Sequence, residues 1–274
     1  MVSSFVVRTI SAVVMMAILC FSLYFGKVGM HTFWFGCQVA LFYECTNVAS
    51  KKIKIEWPVF IWSYLSSFSF SMSYILENQI PHAGWVRLAA FLSFLLTIQV
   101  LLFKTKLDNL AQSLMQIGVL TFVTMIGSFL SQYGHLIIQQ QPGLLIISIM
   151  LVVINDSFAY FCGKLFGKHK LIAVSPNKTV EGFVGGAIFT VLAAPMLRKI
   201  VEMWFTLNFN NGKMLVFAVY VALVGPMGGF LASLIKRTFG VKDFSNLIPG
   251  HGGITDRCDC QIVSCFVLWL IMQM

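Results

Sequence analysis

Apolar residues in this chain come in long runs broken by short polar connections. The runs lie near 9–25, 28–49, 57–76, 85–103, 110–133, 143–162, 182–201, 213–235 and 258–274. A bilayer core of roughly 30 Å takes about 20 apolar residues in a helix, and these runs approach that length. The pattern predicts an all-α fold, a polytopic transmembrane helical bundle of about nine spans. Two connections are long and polar, 163–181 and 236–257. The expected organisation is a block of N-terminal transmembrane helices over 1–140 and a C-terminal transmembrane region over 141–274 that contains both polar segments. Arg8 and the apolar run after it superficially resemble a secretion signal, but no small-residue cleavage site follows. The expectation is a retained first span.

Composition sharpens this picture. Of 274 residues, 58% are hydrophobic and 11% charged, with a mean hydropathy of +0.84. Soluble domains are usually about 45–50% apolar and about 25% charged. That excludes a soluble globular domain, a disordered chain and a disulfide-stapled secreted module. Lys and Arg number 19 against 10 Asp and Glu, a formal charge of +9. In so apolar a chain these cations must crowd into loops that face anionic lipid or an anionic substrate. With the N-terminus inside, fourteen of the nineteen fall on the cytoplasmic side, and both long polar segments fall there too. Cytoplasmic loops are enriched in Lys and Arg, so this orientation is the one expected. The seven cysteines lie mostly in apolar stretches without metal-type pairing and read as small buried thiols.

Ten acids are few enough to take singly. Glu44, Glu56, Glu77, Asp108 and Glu202 are scattered, most near span ends, and read as solvated or snorkelling groups. Asp156, Glu181, Asp243, Asp256 and Asp259 lie in the C-terminal half, beside most of the glycines and lysines there. Asp156 interrupts an apolar run, where an acid costs about 2.5–3.5 kcal/mol unless it faces a polar cavity or partner. Pairing with Lys164 at a helix end is the plainer alternative.

The densest segment runs from Ser233 through Lys236-Arg237 and Lys242-Asp243 to Pro249-Gly250-His251-Gly252-Gly253, ending in Asp256-Arg257-Cys-Asp259. Read physically, it is an anion site followed by a cation site. Gly250, Gly252 and Gly253 permit a backbone nest whose N–H groups hold phosphate. Lys236, Arg237, Lys242 and Arg257 supply donors suited to phosphate oxygens. Asp256 and Asp259, three apart, share a face if a helix starts here, and paired carboxylates opposite phosphates are the usual setting of Mg²⁺. Each part alone has a structural reading: turn glycines, an Arg–Asp pair, a packed His251. A second cluster joins Asn155-Asp156 to Ser175-Pro176-Asn177-Lys178-Thr179, then Glu181-Gly182. Gly182-x-x-x-Gly186 and Gly225-x-x-x-Gly229 are most simply helix-packing faces.

Taken together, S-x-x-K-R, K-D, P-G-H-G-G and D-R-x-D over Ser233–Asp259 resemble the phosphatidate cytidylyltransferase (CDP-diacylglycerol synthase) family. The Asn155-Asp156 and Ser175–Gly186 cluster looks like the same family, so the resemblance is specific over about 150–262. It implies an enzyme converting CTP and phosphatidate to CDP-diacylglycerol and pyrophosphate with Mg²⁺, in a polar catalytic cavity open to the cytosol. Asp256 and Asp259 would then serve the metal. Lys236, Arg237 and Arg257 would join them in catalysis, and Lys178, Ser175, Glu181, Ser233, Lys242, Gly250, His251, Gly252 and Gly253 would bind substrate. His251 is expected to hydrogen-bond rather than act as a base.

One departure is informative. The bacterial pattern has Gly-Asp-x-x-Glu-Ser before the Lys-Arg pair, where this chain has Gly228-Gly229-Phe-Leu-Ala232-Ser233. The stretch resembles the eukaryotic version, which points to the endoplasmic reticulum and leaves Asp156 or Asp243 to replace the missing metal ligand. Expected partners are the two substrates and membrane lipids, not nucleic acid, and a homodimer is compatible with the sequence. The rival readings are another CTP-dependent lipid enzyme, such as a polyprenol kinase, and an anion transporter. A transporter would show paired features in both halves, and residues 1–140 contain no counterpart of the glycine–acid clusters.

Overall fold

In lipid a helix satisfies its backbone groups within one segment, which open strands cannot do. The computed structural model describes residues 4–75, 83–105, 107–124 and 132–274. Glu77, Lys106 and the later part of the 110–133 run lie outside them. The described residues form eleven α-helices: α1 (Ser4–Tyr24), α2 (Gly26–Ala49), α3 (Trp57–Ile75), α4 (Ala83–Phe103), α5 (Leu110–Thr124), α6 (Gln132–Gln140), α7 (Pro142–Phe166), α8 (Val180–Glu202), α9 (Asn211–Leu223), α10 (Pro226–Thr238) and α11 (Thr255–Gln273). Extended pairing among the described residues is confined to two isolated bridges, Lys170 with Thr179 and Ile248 with Gly252. By length and composition, α4, α7, α8 and the continuous stretch Asn211–Thr238 suffice to cross a membrane. The chain is an all-α polytopic membrane protein.

Two features differ from the sequence expectation. The short α6 lies between the fifth and sixth predicted spans, and the 213–235 run is two helices rather than one. The break has a covalent cause. Pro226 has no N–H to donate to the carbonyl four residues earlier, that of Ala222. Asn155 Nδ2 on α7 reaches this Ala222 oxygen at 3.5 Å and the Thr190 hydroxyl at 3.1 Å.

The chain packs as two compact units: Met1–Leu136 with Asp243–Thr255, and Ile137–Lys242 with Asp256–Met274. In the first, α1 packs on α2, α3 on α4, and α5 against α2, α3 and α4. Small hydroxyls join α3 to α4, where Trp62 Nε1 donates to Ser93 Oγ and Ser66 Oγ meets the same oxygen, both at 2.8 Å. In the second unit the most extensive packing is α7 on α8, with α9 against both.

The scattered acids behave unequally. Near the surface, Glu56 pairs with Lys104, whose hydrogen bond holds its carboxyl below the ordinary range. Glu202 pairs with Arg198, and Asp108 is exposed in a 3₁₀ turn. Glu44 overturns the expectation of a solvated group: it is 2% exposed.

Candidate active site

Small residues set the distance between α7 and α8. Asn155, Ala159 and Gly163 recur every four residues on one face of α7. A Cβ added at Gly182 would lie 2.5 Å from the Ala159 carbonyl oxygen, and one at Gly186 would lie 2.9 Å from that of Asn155. The Gly182-x-x-x-Gly186 pattern is therefore a packing face, as expected. Thr179 caps α8 by accepting from Gly182 N–H at 3.1 Å. The loop before it folds back through Leu171 N–H to Lys178 O and Val180 N–H to His169 O, each 2.9 Å. Glu181 fixes the loop's other edge, accepting from the backbone of Lys168 and His169 and meeting His169 Nδ1 at 2.6 Å. An i,i+3 pairing of Glu181 with Lys178 is not what holds either side chain.

Between these elements lies a cavity of about 520 Å³, within the roughly 300–1,000 Å³ range of small-molecule sites. Asp156, Tyr160, Lys164, Ser175, Lys178 and Phe230 contribute to its wall. Asp156 sits well inside α7 and is exposed to this space. Its electrostatic partners are Lys178 and Arg257, not Lys164. Lys178 Nζ stands 4.7 Å from the centroid of the Phe230 ring, a cation–π geometry that holds the ammonium at the wall. Asp259, half-buried on α11, feels the charges of Asp156 and Lys236. A Cβ at Gly229 would lie 3.6 Å from both Asp259 Oδ2 and Lys178 Nζ. The position where the bacterial pattern has an acid is thus beside these groups. This glycine faces the charged cluster, whereas Gly228 is the packing residue, since its Cβ would lie 2.5 Å from the Asp259 carbonyl oxygen.

Other expected residues occupy different settings. Asp256 and Lys236 form an ion pair with side chains 6% and 12% exposed. Arg237 is exposed and donates to the Val241 carbonyl at 3.2 Å, and Ser233 Oγ bonds back to Gly229 O within α10. Lys242 and Asp243 are exposed. Gly250 and Gly252 adopt φ of 76° and 84°, the left-handed conformation that glycine alone enters without strain. Within that loop, His251 N–H is engaged by Ile248 O and Gly252 O by Ile248 N–H, both at 2.9 Å.

Among the described residues no three His, Cys, Asp or Glu side chains converge on one point. Magnesium seldom needs them to, because it is usually held by one or two carboxylates plus substrate phosphates. Asp156 and Asp259 are carboxylate oxygen donors of the same unit, and the Gly229 position, without a side chain, adjoins Asp259 Oδ2 and Lys178 Nζ. That donor set fits a hard divalent cation.

Residues 6–274 match the cytidylyltransferase family. The chain belongs to that family. A phosphatidate cytidylyltransferase of Saccharomyces cerevisiae is 30% identical over 331 residues, covering 95% of this chain and 70% of the relative. The Aquifex aeolicus phosphatidate cytidylyltransferase is 43% identical over 129 residues, covering 47% of this chain and 46% of the relative. Arabidopsis thaliana phosphatidate cytidylyltransferase 1 is 33% identical over 165 residues, 45% of this chain and 39% of its own. The matched part of the chain thus spans less than half the length of these last two family members.

Sequence reasoning missed Glu44. It accepts hydrogen bonds from Ser245 Oγ at 2.6 Å, Ile254 N–H at 3.0 Å and Thr255 N–H at 2.8 Å. Its partners lie about 200 residues away in sequence, and the only available signal was an acid placed inside an apolar run.

Proposed function

We propose that this chain transfers the cytidylyl group of CTP to phosphatidate, giving CDP-diacylglycerol and pyrophosphate. The observation that carries the reading is the cavity in which Asp156 and Lys178 face one another's charge, in a chain that matches its family along nearly its whole length.

In the reaction, an oxygen of the phosphatidate phosphate attacks the α-phosphorus of CTP. A new P–O bond forms, the α–β anhydride bond breaks, and pyrophosphate departs with the electron pair. A phosphate monoester has a second pKa of about 6, so the nucleophile is already anionic at neutral pH and requires no general base. The obstacle is repulsion between phosphates, which fixed cations offset best. Lys178, held on the cavity wall by Phe230, donates to phosphate oxygens there. Arg257 and Lys236 add positive potential, and Asp256 holds the Lys236 ammonium in place. Asp156 and Asp259 are the residues that would hold Mg²⁺, which when bound neutralises charge on the triphosphate and the leaving pyrophosphate.

The same reading takes the protein to the endoplasmic reticulum membrane, on the eukaryotic-type stretch Gly228–Ser233, with its cavity open to the cytosol, on the uneven distribution of Lys and Arg between loops. A cysteine placed at 168 in a cysteine-less background should react with an impermeant thiol reagent from the cytosolic side. Lumenal labelling would reverse the orientation. Product analysis with purified protein tests the activity. CDP-diacylglycerol plus pyrophosphate is expected, whereas a phosphorylated lipid plus CDP would indicate a CTP-dependent kinase.

A further inference from the structure

Residues 245–255 form a loop whose conformation is fixed from within its own unit. Ile248 and Gly252 bridge across it, and Ser11 Oγ on α1 donates to the Pro249 carbonyl at 2.7 Å. The strongest hold comes from α2, through the carboxylate of Glu44. One oxygen accepts from Ser245 Oγ and Ile254 N–H, and the other from Thr255 N–H. Ser245 Oγ itself accepts from Leu247 N–H at 3.1 Å, so the carboxylate also fixes the loop's first turn. Gly253 lies against the same group, since a Cβ there would be 2.6 Å from Glu44 Oε2.

Three features make this more than packing. A buried carboxylate is costly unless its lone pairs are filled, and here three donors from one loop fill them. Thr255 opens α11, so the carboxylate meets its first N–H, which has no intrahelical partner, together with that of the preceding Ile254, and complements the positive end of the helix dipole. Thr255 also precedes Asp256 in the chain, so the peptide that Glu44 grips directly sets where the D-R-x-D segment begins.

We infer that Glu44 is the positioning residue for the glycine loop and the start of α11, acting on turnover through Asp256 and Asp259 without touching substrate. This rests on the cytidylyltransferase reading above. Glu44→Gln keeps the shape but removes the charge and turns an N–H₂ toward backbone N–H donors. Small displacements of a catalytic group commonly cost up to about 10²-fold. The expected result is a kcat lower by about 10- to 100-fold with KM for CTP unchanged. Amide exchange should quicken in peptides covering 245–255 and stay as wild type in peptides covering 142–166. The proteins are compared in detergent after matching by gel filtration. A purely structural role would lower the yield of folded protein but leave kcat per folded molecule intact, and that result overturns the inference. So does a wild-type exchange rate at Ile254 and Thr255.

If Glu44→Gln gives no monodisperse protein, Ser245→Ala removes one of the three donors and should lower kcat by about five- to tenfold. Unchanged kcat in that variant also overturns the inference. Failure of the functional reading looks different, because wild-type protein would then form no CDP-lipid while the exchange data still report whether Glu44 holds the loop.

Discussion

Glu44 on α2 and Asp156 on α7 are each an acid inside an apolar helix, yet their surroundings give them opposite tasks. Glu44 is 2% exposed and its oxygens are filled by a serine hydroxyl and two backbone amides. Asp156 opens into a cavity and faces the cations of Lys178 and Arg257. The first carboxylate is consumed in holding the backbone. The second keeps its oxygens available for what enters the cavity. An acid in an apolar helix is therefore committed to structure or left open to a ligand according to which donors reach it.

That contrast can be broken most directly at the cavity. Asp156→Asn and Asp259→Asn preserve volume and remove charge, and each should lower turnover by about 10²–10³-fold, the usual loss for a well-placed electrostatic group. The double variant should be little worse than either single one, because residues acting on one centre are not additive. Gel filtration and melting temperature should stay near wild type, and Asp108→Asn, in its exposed turn, should behave as wild type throughout. Initial rates against Mg²⁺ concentration check this, and near-normal turnover in Asp156→Asn would erase the distinction between the two acids. Glu44→Gln is expected to fall below these losses in turnover while loosening its loop.

The smallest expected effect on turnover concerns Asn155, next to Asp156 but turned toward structure. Asn155→Leu leaves the Ala222 carbonyl without its side-chain donor and removes the bond to Thr190. An unsatisfied buried group costs about 1–3 kcal/mol, so the melting temperature should drop. Turnover per folded molecule should change far less than in Asp156→Asn. A loss equal to that of the Asp156 variant would make Asn155 part of the chemistry.

What was legible in the sequence follows from what is local. Apolar run length predicts helices because one segment supplies all its own hydrogen bonds, and the Gly182-x-x-x-Gly186 face was readable because its spacing is the helix repeat. The clusters around Asp156 and Asp256 could be read because several chemistry-bearing residues fall close together. The break at Pro226 was hidden by averaging hydropathy over 213–235, though the proline itself stood in plain view. Short and rather polar, α6 left no apolar run to see. Glu44 was misread, and the loop contacts of Glu181 went unseen, for a different reason. Both take two of their partners from backbone amides, of Ile254 and Thr255 in one case and of Lys168 and His169 in the other. Backbone donors carry no residue-type signal.

On the reading proposed above, the second unit's cavity supports cytidylyl transfer to phosphatidate through Asp156. CTP labelled separately at the α- and γ-phosphates, given with phosphatidate to wild-type protein and to Asp156→Asn, tests it most directly. The wild type should put α-label in a lipid product and γ-label in pyrophosphate, with the rate falling by about two to three orders of magnitude in the variant. Appearance of γ-label in lipid, or equal α-label incorporation by both proteins, would contradict it.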